Sequence, residues 1–144
     1  MMRLSYDLGP LPSLLRSLGA KRGGLVEHVI RRAAREAEAL LREKAPRRTG
    51  RLARSIGSIL LGPDRALVGV GADYAIFVEL GTRPHEIRPR RARALRFEIG
   101  GRIIFATRVL HPGIRPRFFA REAAEELSNR LGQVISGAWE DVAG

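Results

Sequence analysis

Two stretches of apolar residues at helical spacing, one near each end of the chain, constrain the fold most. In the first, apolar side chains recur every three or four residues while charged side chains fill the opposite face; its apolar members are Leu25, Val26, Val29, Ile30, Ala33, Ala37, Leu40 and Leu41. Pro46 ends this helix. The second helix extends from about Arg117 to Val142. Because each carries a single apolar stripe, we expect the two helices to pack together, antiparallel or crossed, over one face of a sheet.

The residues between these helices predict two β-hairpins. In the first, residues 58–61 and 66–70 are strand-like and flank a Gly-Pro-Asp-Arg turn. In the second, residues 95–99 alternate between apolar and polar side chains, and a Gly-Gly pair leads into residues 102–109. The sequence therefore predicts antiparallel strands between two helices.

Shorter elements complete the predicted fold. Residues 49–56 form a hook, and a short helix covers residues 74–80, with Asp73 as its cap and Gly81 as its terminator. Residues 82–93 are a polar loop rich in arginine and proline. The predicted class is α+β, a small antiparallel sheet of two hairpins packed against a long N-terminal and a long C-terminal helix.

The length of 144 residues fits one domain. Glycine and proline interrupt residues 1–22, which we interpret as an N-terminal arm, and residues 23–144 form the single α+β domain. Four leucines of the arm are spaced for one amphipathic turn that docks on a neighbour: Leu11, Leu14, Leu15 and Leu18. No run of 18 apolar residues is present, so we expect no contact with a membrane.

The charge of the chain is large and unevenly placed. The net charge is +11, and 24 of the 26 basic residues are arginine. Six basic residues against one acid give +5 over residues 42–54 and again over residues 83–96, whereas residues 117–144 carry three arginines and five acids, or −2. Basic loops and an acidic end suit head-to-tail association of copies, although each cluster is equally well explained as a solvated face.

No constellation of residues predicts catalysis, a cofactor or a metal. His85 and His111 lie in proline-flanked loops and are candidates to meet in space, but two histidines without a third ligand make a poor zinc site. His28 is alone on the first helix. Asp73 and Glu79 are six residues apart on the short helix and do not share a face, so they do not form an acid–base pair.

Binding of nucleic acid is the main alternative function that the composition suggests. Arginine-rich loops neutralise phosphates in a salt-dependent way. Aromatic residues, however, make up only 6% of the chain, and the phenylalanines are not interleaved with the basic loops as a base-stacking surface requires. No helix-turn-helix or zinc-finger pattern occurs. These features favour a weak, sequence-independent contact with DNA over recognition of a specific base sequence.

Several short strings, in a fixed order, resemble those of a known family. They include "TGxLxxSI" within residues 48–56, "YAxxVExGT" within residues 68–82, and "HPG" at residues 111–113, with further matches at residues 84–89, 95–97 and 116–119. The chain is similar over residues 25–142 to the phage tail-component family of long non-contractile-tailed phages, related to the minor tail protein Z of phage lambda.

The resemblance implies a non-enzymatic structural role in head–tail joining or tail completion, at the neck or upper tail. It implies a virion protein that is assembled in the host cytoplasm and that forms a ring, with six copies favoured over twelve. The implied partners are further copies of the chain and neighbouring phage proteins such as head-completion and tail-tube subunits, with possible non-specific contact with transiting DNA. It brings no catalytic residues and no cofactor.

Candidate partner-binding residues follow from the arginine-rich loop and from the start of the last helix. The loop is expected to be exposed and locally stiff and to meet an acidic surface or DNA; the candidates are Arg83, Arg88, Arg90, Arg91, Arg93, Arg117 and Phe119. Of the rings of Phe118 and Phe119, one is expected in the core and one at a neighbouring subunit. Trp139 is expected either in the core or at an interface, and we favour the core because Leu131 and Ile135 lie on the same side of the helix.

Overall fold

The computed structural model describes residues 2–4 and 24–143. In chain order its elements are strand β1 (Met2–Leu4), helix α1 (Leu25–Lys44), helix α2 (Arg51–Arg54), strands β2 (Ile56–Gly62) and β3 (Arg65–Val70), helix α3 (Ala75–Leu80), strands β4 (His85–Ile87), β5 (Leu95–Ile99), β6 (Arg102–Ala106) and β7 (Val109–His111), and helix α4 (Phe119–Ala143). The class is therefore α+β, as the sequence predicts.

Helix α1 ends where the chain can no longer continue it. Ala45 lies next to Pro46 and takes an extended conformation (φ −62°, ψ 130°), because the proline ring disfavours a helical residue before it. Ion pairs one turn apart, such as Glu38 with Arg42 at 2.7 Å, run along the polar face. The predicted first helix is confirmed.

Helices α1 and α4 pack antiparallel, which is one of the two arrangements that the sequence left open. Ion pairs along their length fix this direction, since His28, near the start of α1, lies 3.1 Å from Asp141, near the end of α4. At the opposite end, the Lys44 ammonium lies 2.7 Å from the carboxylate of Glu126. Two of the five acidic residues within 117–144, Glu126 and Asp141, thus face α1 and form ion pairs with its basic side chains.

The sheet beneath α1 has three strands in the order β1–β3–β2, all antiparallel. Ile56 lies opposite Val70 in the register, and both side chains are buried. The hairpin of β2 and β3 was predicted, whereas β1 was not, since it lies within the segment that we interpreted as an arm. The predicted amphipathic turn of that arm lies outside the described residues.

The core consists of two clusters between the helices. The larger lies where the end of α1, the sheet, α3 and the start of α4 meet, and its largest buried side chains are Leu40, Leu41, Val70 and Phe119. The smaller joins Leu25 and Val29 of α1 to Ala138 near the end of α4. Trp139 does not join it in the predicted way, because 44% of its surface is exposed, so the core assignment of Trp139 is wrong.

Two further expectations are corrected. The hairpin of β5 and β6 does not join the three-stranded sheet but forms a separate two-stranded ribbon, so the two predicted hairpins do not build one sheet. Asp73 does not cap α3, whose first residue is Ala75 and whose cap position is occupied by Tyr74. The Asp73 carboxylate is exposed instead and lies 3.8 Å from the guanidinium of Arg51. Gly81 ends α3 as predicted, with a φ of 70°.

Candidate interaction surface

Residues 82–117, which we call the ribbon, form one long interrupted hairpin. Strand β4 pairs with β7, with His85 opposite His111, and β5 pairs with β6, with Leu95 opposite Ala106. Between the two pairs, the outgoing side has seven residues (88–94) and the returning side has two (107–108). With five residues more than the returning side, the outgoing side forms a bulge, which we call the arginine bulge (residues 88–94). It holds Arg88, Arg90, Arg91 and Arg93.

The base of the ribbon is held by close backbone contacts. Thr82 and Ile114 exchange backbone hydrogen bonds of 2.9 and 3.1 Å. Gly81 and Gly113 both have positive φ, and a Cβ atom on either would lie within 2.4 Å of a carbonyl oxygen of the facing strand. Only glycine fits this approach, which gives a physical reason for the Gly-Thr and His-Pro-Gly strings.

A buried carboxylate joins the ribbon base to α4. Glu79 in α3 is 8% exposed, and its two oxygens accept hydrogen bonds from the backbone N–H groups of Ala120 (2.8 Å) and Arg121 (3.1 Å). These N–H groups belong to the first turn of α4 and have no partner within the helix. Glu79 thus caps a helix that begins 40 residues later in the chain, and its negative charge complements the helix dipole.

The two loop histidines meet, as the sequence suggested. Their rings stack at a centroid distance of 5.1 Å, because His85 and His111 are directly opposite on β4 and β7. The His111 Nδ1 atom accepts a 3.0 Å hydrogen bond from the Gly113 N–H. Within residues 2–4 and 24–143, no group of three or more potential metal ligands comes together. The pair therefore helps to close the ribbon base.

The predicted partner-binding arginines are all exposed. Arg83, Arg88, Arg90, Arg91 and Arg93 lie on the ribbon and Arg117 at its end. Arg88 contacts the carboxylate of Glu86 two residues before it. For the other five, the described residues hold no carboxylate within ion-pair distance, so their charges are available at the surface.

The prediction that Phe119 binds a partner is wrong. Its ring is 1% exposed and lies at the centre of the large cluster, so it is not available to a partner. Phe118 takes an unusual positive φ of 50° that turns its ring outwards, where the guanidinium of Arg121 lies 4.4 Å from the ring centroid. The expectation that one ring enters the core holds for Phe119, and Phe118 is the partly exposed ring.

The charge of the molecule is concentrated on the ribbon. Residues 82–117 contain ten arginines and two glutamates, so they carry +8 of the net +11 in a quarter of the chain. The remaining 108 residues carry 16 basic and 13 acidic side chains, or +3, and those of them that the structure describes carry 13 basic and 12 acidic side chains, or +1. The ribbon is therefore a basic projection from a nearly neutral body, by which we mean the described residues outside 82–117.

The ribbon also exposes apolar side chains that sequence reasoning did not assign to a surface. No residue from Leu80 to Phe118 is buried. Phe105 is 66% exposed, and further large apolar side chains of the ribbon are exposed at Ile87, Ile99, Ile103, Ile104, Leu110 and Ile114. The consecutive apolar residues 103–105 were the available signal, because side chains of one strand alternate in direction and both faces of the hairpin must then be apolar.

No helix within the described residues is long and apolar enough to cross a membrane.

Comparison with known protein families places part of the chain. Residues 15–81 match the model of a family described as "Bacteriophage HK97-gp10, putative tail-component". The match ends at Gly81, where the ribbon begins, so the ribbon and α4 lie outside it. Neither the curated proteins nor the solved structures give a significant match. The resemblance to a phage tail-component family is confirmed over residues 15–81.

Proposed function

Because residues 15–81 carry the sequence of a phage tail-component family, we propose that this protein is a structural, non-enzymatic subunit of a phage tail. It acts in head–tail joining or tail completion, at the neck or upper tail. In this role it is part of the virion, after assembly in the host cytoplasm. The family match is the observation that carries the proposal.

The form of the molecule supports an assembly role. A nearly neutral body presents a projecting ribbon that is both basic and apolar, and large exposed apolar patches mark surfaces that meet a partner. The partners we propose are copies of the chain, in a ring of six, and the head-completion and tail-tube subunits above and below it. Closed rings follow when a head-to-tail contact repeats around an axis.

The direct test is disruption of the gene in the phage or prophage that carries it. We expect electron micrographs of the lysate to show filled heads and separate tails, and infectious particles to return when the intact chain is supplied from a plasmid. Particles that assemble and infect normally without the chain contradict the proposal, as does its absence from purified virions by mass spectrometry.

A second test concerns the arginine bulge. Replacing Arg88, Arg90 and Arg91 with serine removes three exposed charges and touches no buried residue, so we expect soluble, folded protein that fails to restore head–tail joining. The matched control is Arg35→Ser on the exposed side of α1, which should restore joining. Loss of soluble triple variant would mean that the bulge is structural and would refute its role as a contact.

The alternative function is sequence-independent binding of nucleic acid, which the +8 charge of the ribbon favours. Neutralised phosphates release counterions, so the logarithm of the binding constant falls linearly with the logarithm of salt concentration. Fluorescence anisotropy with a random duplex at several salt concentrations measures this slope. If binding at physiological salt is tighter than about 1 µM, beyond the usual range of non-specific contacts, the alternative gains over the structural role.

A further inference from the structure

The ribbon has no internal means of covering its apolar side chains. It consists of two short two-stranded pairs, and an isolated hairpin is at best marginally stable in water. One face of the β5–β6 pair carries Leu95, Phe97, Ile99, Ile104 and Ala106, and the other carries Ile103 and Phe105 beside Arg96 and Glu98. None of these side chains is buried. No other part of the chain that the structure describes covers them, so the ribbon offers two apolar faces to a partner surface.

The chemistry of the ribbon indicates what that surface contains. Polyphosphate would neutralise the arginines but would leave Ile99, Ile104 and Phe105 in water. A surface that is both apolar and acidic would satisfy both features, since it covers the apolar faces and supplies carboxylates for bidentate contacts with arginine. The occupant is therefore a protein surface.

The body of the same chain presents such a surface. On α3, three apolar side chains point to solvent: Ile76, Phe77 and Leu80. On the first turns of α4, Glu122 and Glu125 are exposed, and neither has an ion-pair partner within the described residues. The capping of α4 by Glu79 holds these two elements side by side. We call this surface the receiving face (Ile76, Phe77, Leu80, Glu122 and Glu125).

We propose that the ribbon of one copy docks on the receiving face of a second copy. The inference rests on the proposed function, because it names the contact by which the ring would close. The ribbon and the receiving face are different patches of one chain, so the contact is head-to-tail and repeats from copy to copy. The arginine bulge meets Glu122 and Glu125, and the β5–β6 faces cover the apolar side chains of α3.

A charge swap tests this pairing. The ribbon variant carries Arg90→Glu, Arg91→Glu and Arg93→Glu, and the receiver variant carries Glu122→Arg and Glu125→Arg. Each variant alone places like charges opposite each other, so we expect its self-association to weaken at least about tenfold. In an equal mixture, each ribbon finds a complementary face on the other variant, so assembly should return with the two variants alternating.

Sedimentation velocity and native mass spectrometry measure these outcomes, and circular dichroism confirms that both variants remain folded. Arg35→Glu and Glu140→Arg, exposed charge reversals on α1 and the far end of α4, are the controls and should assemble as the wild type does. Unchanged assembly of either swapped variant overturns the inference, as does a mixture that fails to assemble. A ribbon variant that loses only binding to a random DNA duplex would identify nucleic acid as the occupant and also overturn it.

Crosslinking extends the test to assembled particles. The chain contains no cysteine, so the double variant Arg91→Cys, Glu125→Cys offers two defined thiols per copy. We expect a bifunctional maleimide to give a ladder of covalent oligomers, and the matched pair Arg91→Cys, Glu140→Cys to give none. Virions that contain the chain but yield no ladder overturn this contact alone, whereas virions that lack the chain refute the proposed function.

Discussion

The body and the ribbon both contain large apolar side chains, but the body buries them and the ribbon leaves them exposed. In the body, α1, α4 and the three-stranded sheet close over Leu40, Leu41 and Phe119. In the ribbon, comparable side chains such as Phe105 and Ile104 remain at the surface. Strand-forming sequence and apolar content are therefore shared by both regions. The two regions differ in whether a second layer of the described residues covers their apolar side chains.

The largest expected effect is on the free energy of unfolding, and it differs between a phenylalanine of the body and one of the ribbon. Phe119→Ala leaves a cavity at the centre of the core, and we expect it to lower the free energy of unfolding by about 3–5 kcal/mol. Phe105→Ala should change it by less than about 0.5 kcal/mol, because 66% of its surface is already exposed to water. Urea unfolding followed by circular dichroism measures both. Equal effects would show that the ribbon is part of the folding unit.

The next effect concerns the connection between body and ribbon. Glu79→Ala removes the acceptor for two N–H groups at the start of α4, and hydrogen bonds to a charged group contribute about 1.5–3 kcal/mol. We expect a loss of stability in that range, measured by urea unfolding. Glu79→Gln, which keeps one acceptor oxygen, should lose less, and Glu98→Ala on the ribbon should have no measurable effect. A loss no larger than that of Glu98→Ala would contradict the capping role.

Acid should weaken the body through the pairing of its helices. Hydrogen bonds from His28 and Arg32 hold the pKa of Asp141 below its usual value, and the Lys44 ammonium does the same for the pKa of Glu126. Carboxylates with a lowered folded pKa contribute stability above their unfolded pKa and lose it as pH falls through the folded one. Thermal unfolding should therefore show stability declining once the pH drops below about 4.5, the ordinary value for glutamate.

The variant with Asp141→Asn and Glu126→Gln supplies the comparison for this pH dependence. It has no carboxylate to protonate at these two positions, so its stability should decline less steeply with acid. The control variant Glu140→Gln, at an exposed position of the same helix, should retain the wild-type slope. Identical slopes in all three proteins would contradict the contribution of the interhelical pairs.

The smallest expected effect is on the ribbon. The triple replacement of Arg88, Arg90 and Arg91 with serine should change the free energy of unfolding by less than about 0.5 kcal/mol, since exposed side chains without buried contacts contribute little to stability. Urea unfolding of the purified variant measures it. A larger loss of unfolding free energy would show that the bulge contacts the body. The ribbon would then contribute to folding stability as the body does.

Periodicity in the sequence predicts most of the body. The two helices α1 and α4 and the hairpin of β2 and β3 are confirmed, because each depends on a repeated local pattern. The sequence also predicts that the two helices pack together, but it left open whether they are antiparallel or crossed. The pairing of β4 with β7 was missed, since three-residue strands are too short to show alternation. Strand β1 was missed because it lies in a segment that otherwise resembles a loop.

The candidate surface depends on contacts between residues that are far apart in the chain, which no local sequence pattern predicts. Alternation in residues 95–99 predicts one apolar face but cannot indicate whether anything covers it. The choice between Phe118 and Phe119 depends on a single backbone angle at Phe118. Likewise, Glu79 finds its partners in amides 41 and 42 residues further along the chain. By contrast, the exposed arginines of the ribbon were predicted correctly, because charge and proline content are local properties.

The closed base of the ribbon has a consequence for how the chain can vary. Hydrogen bonds between Thr82 and Ile114 bring the two ends of a long segment together before it leaves the body. From the side of the body, residues 83–113 are then only a loop whose ends are fixed, and doubling the length of such a loop costs about 0.6 kcal/mol in closure entropy. Insertions, deletions and exchanges within residues 88–108, away from the glycine at the closed base, are therefore almost neutral for folding. Changes in the ribbon can therefore alter the choice of partner while the stability of the body stays the same.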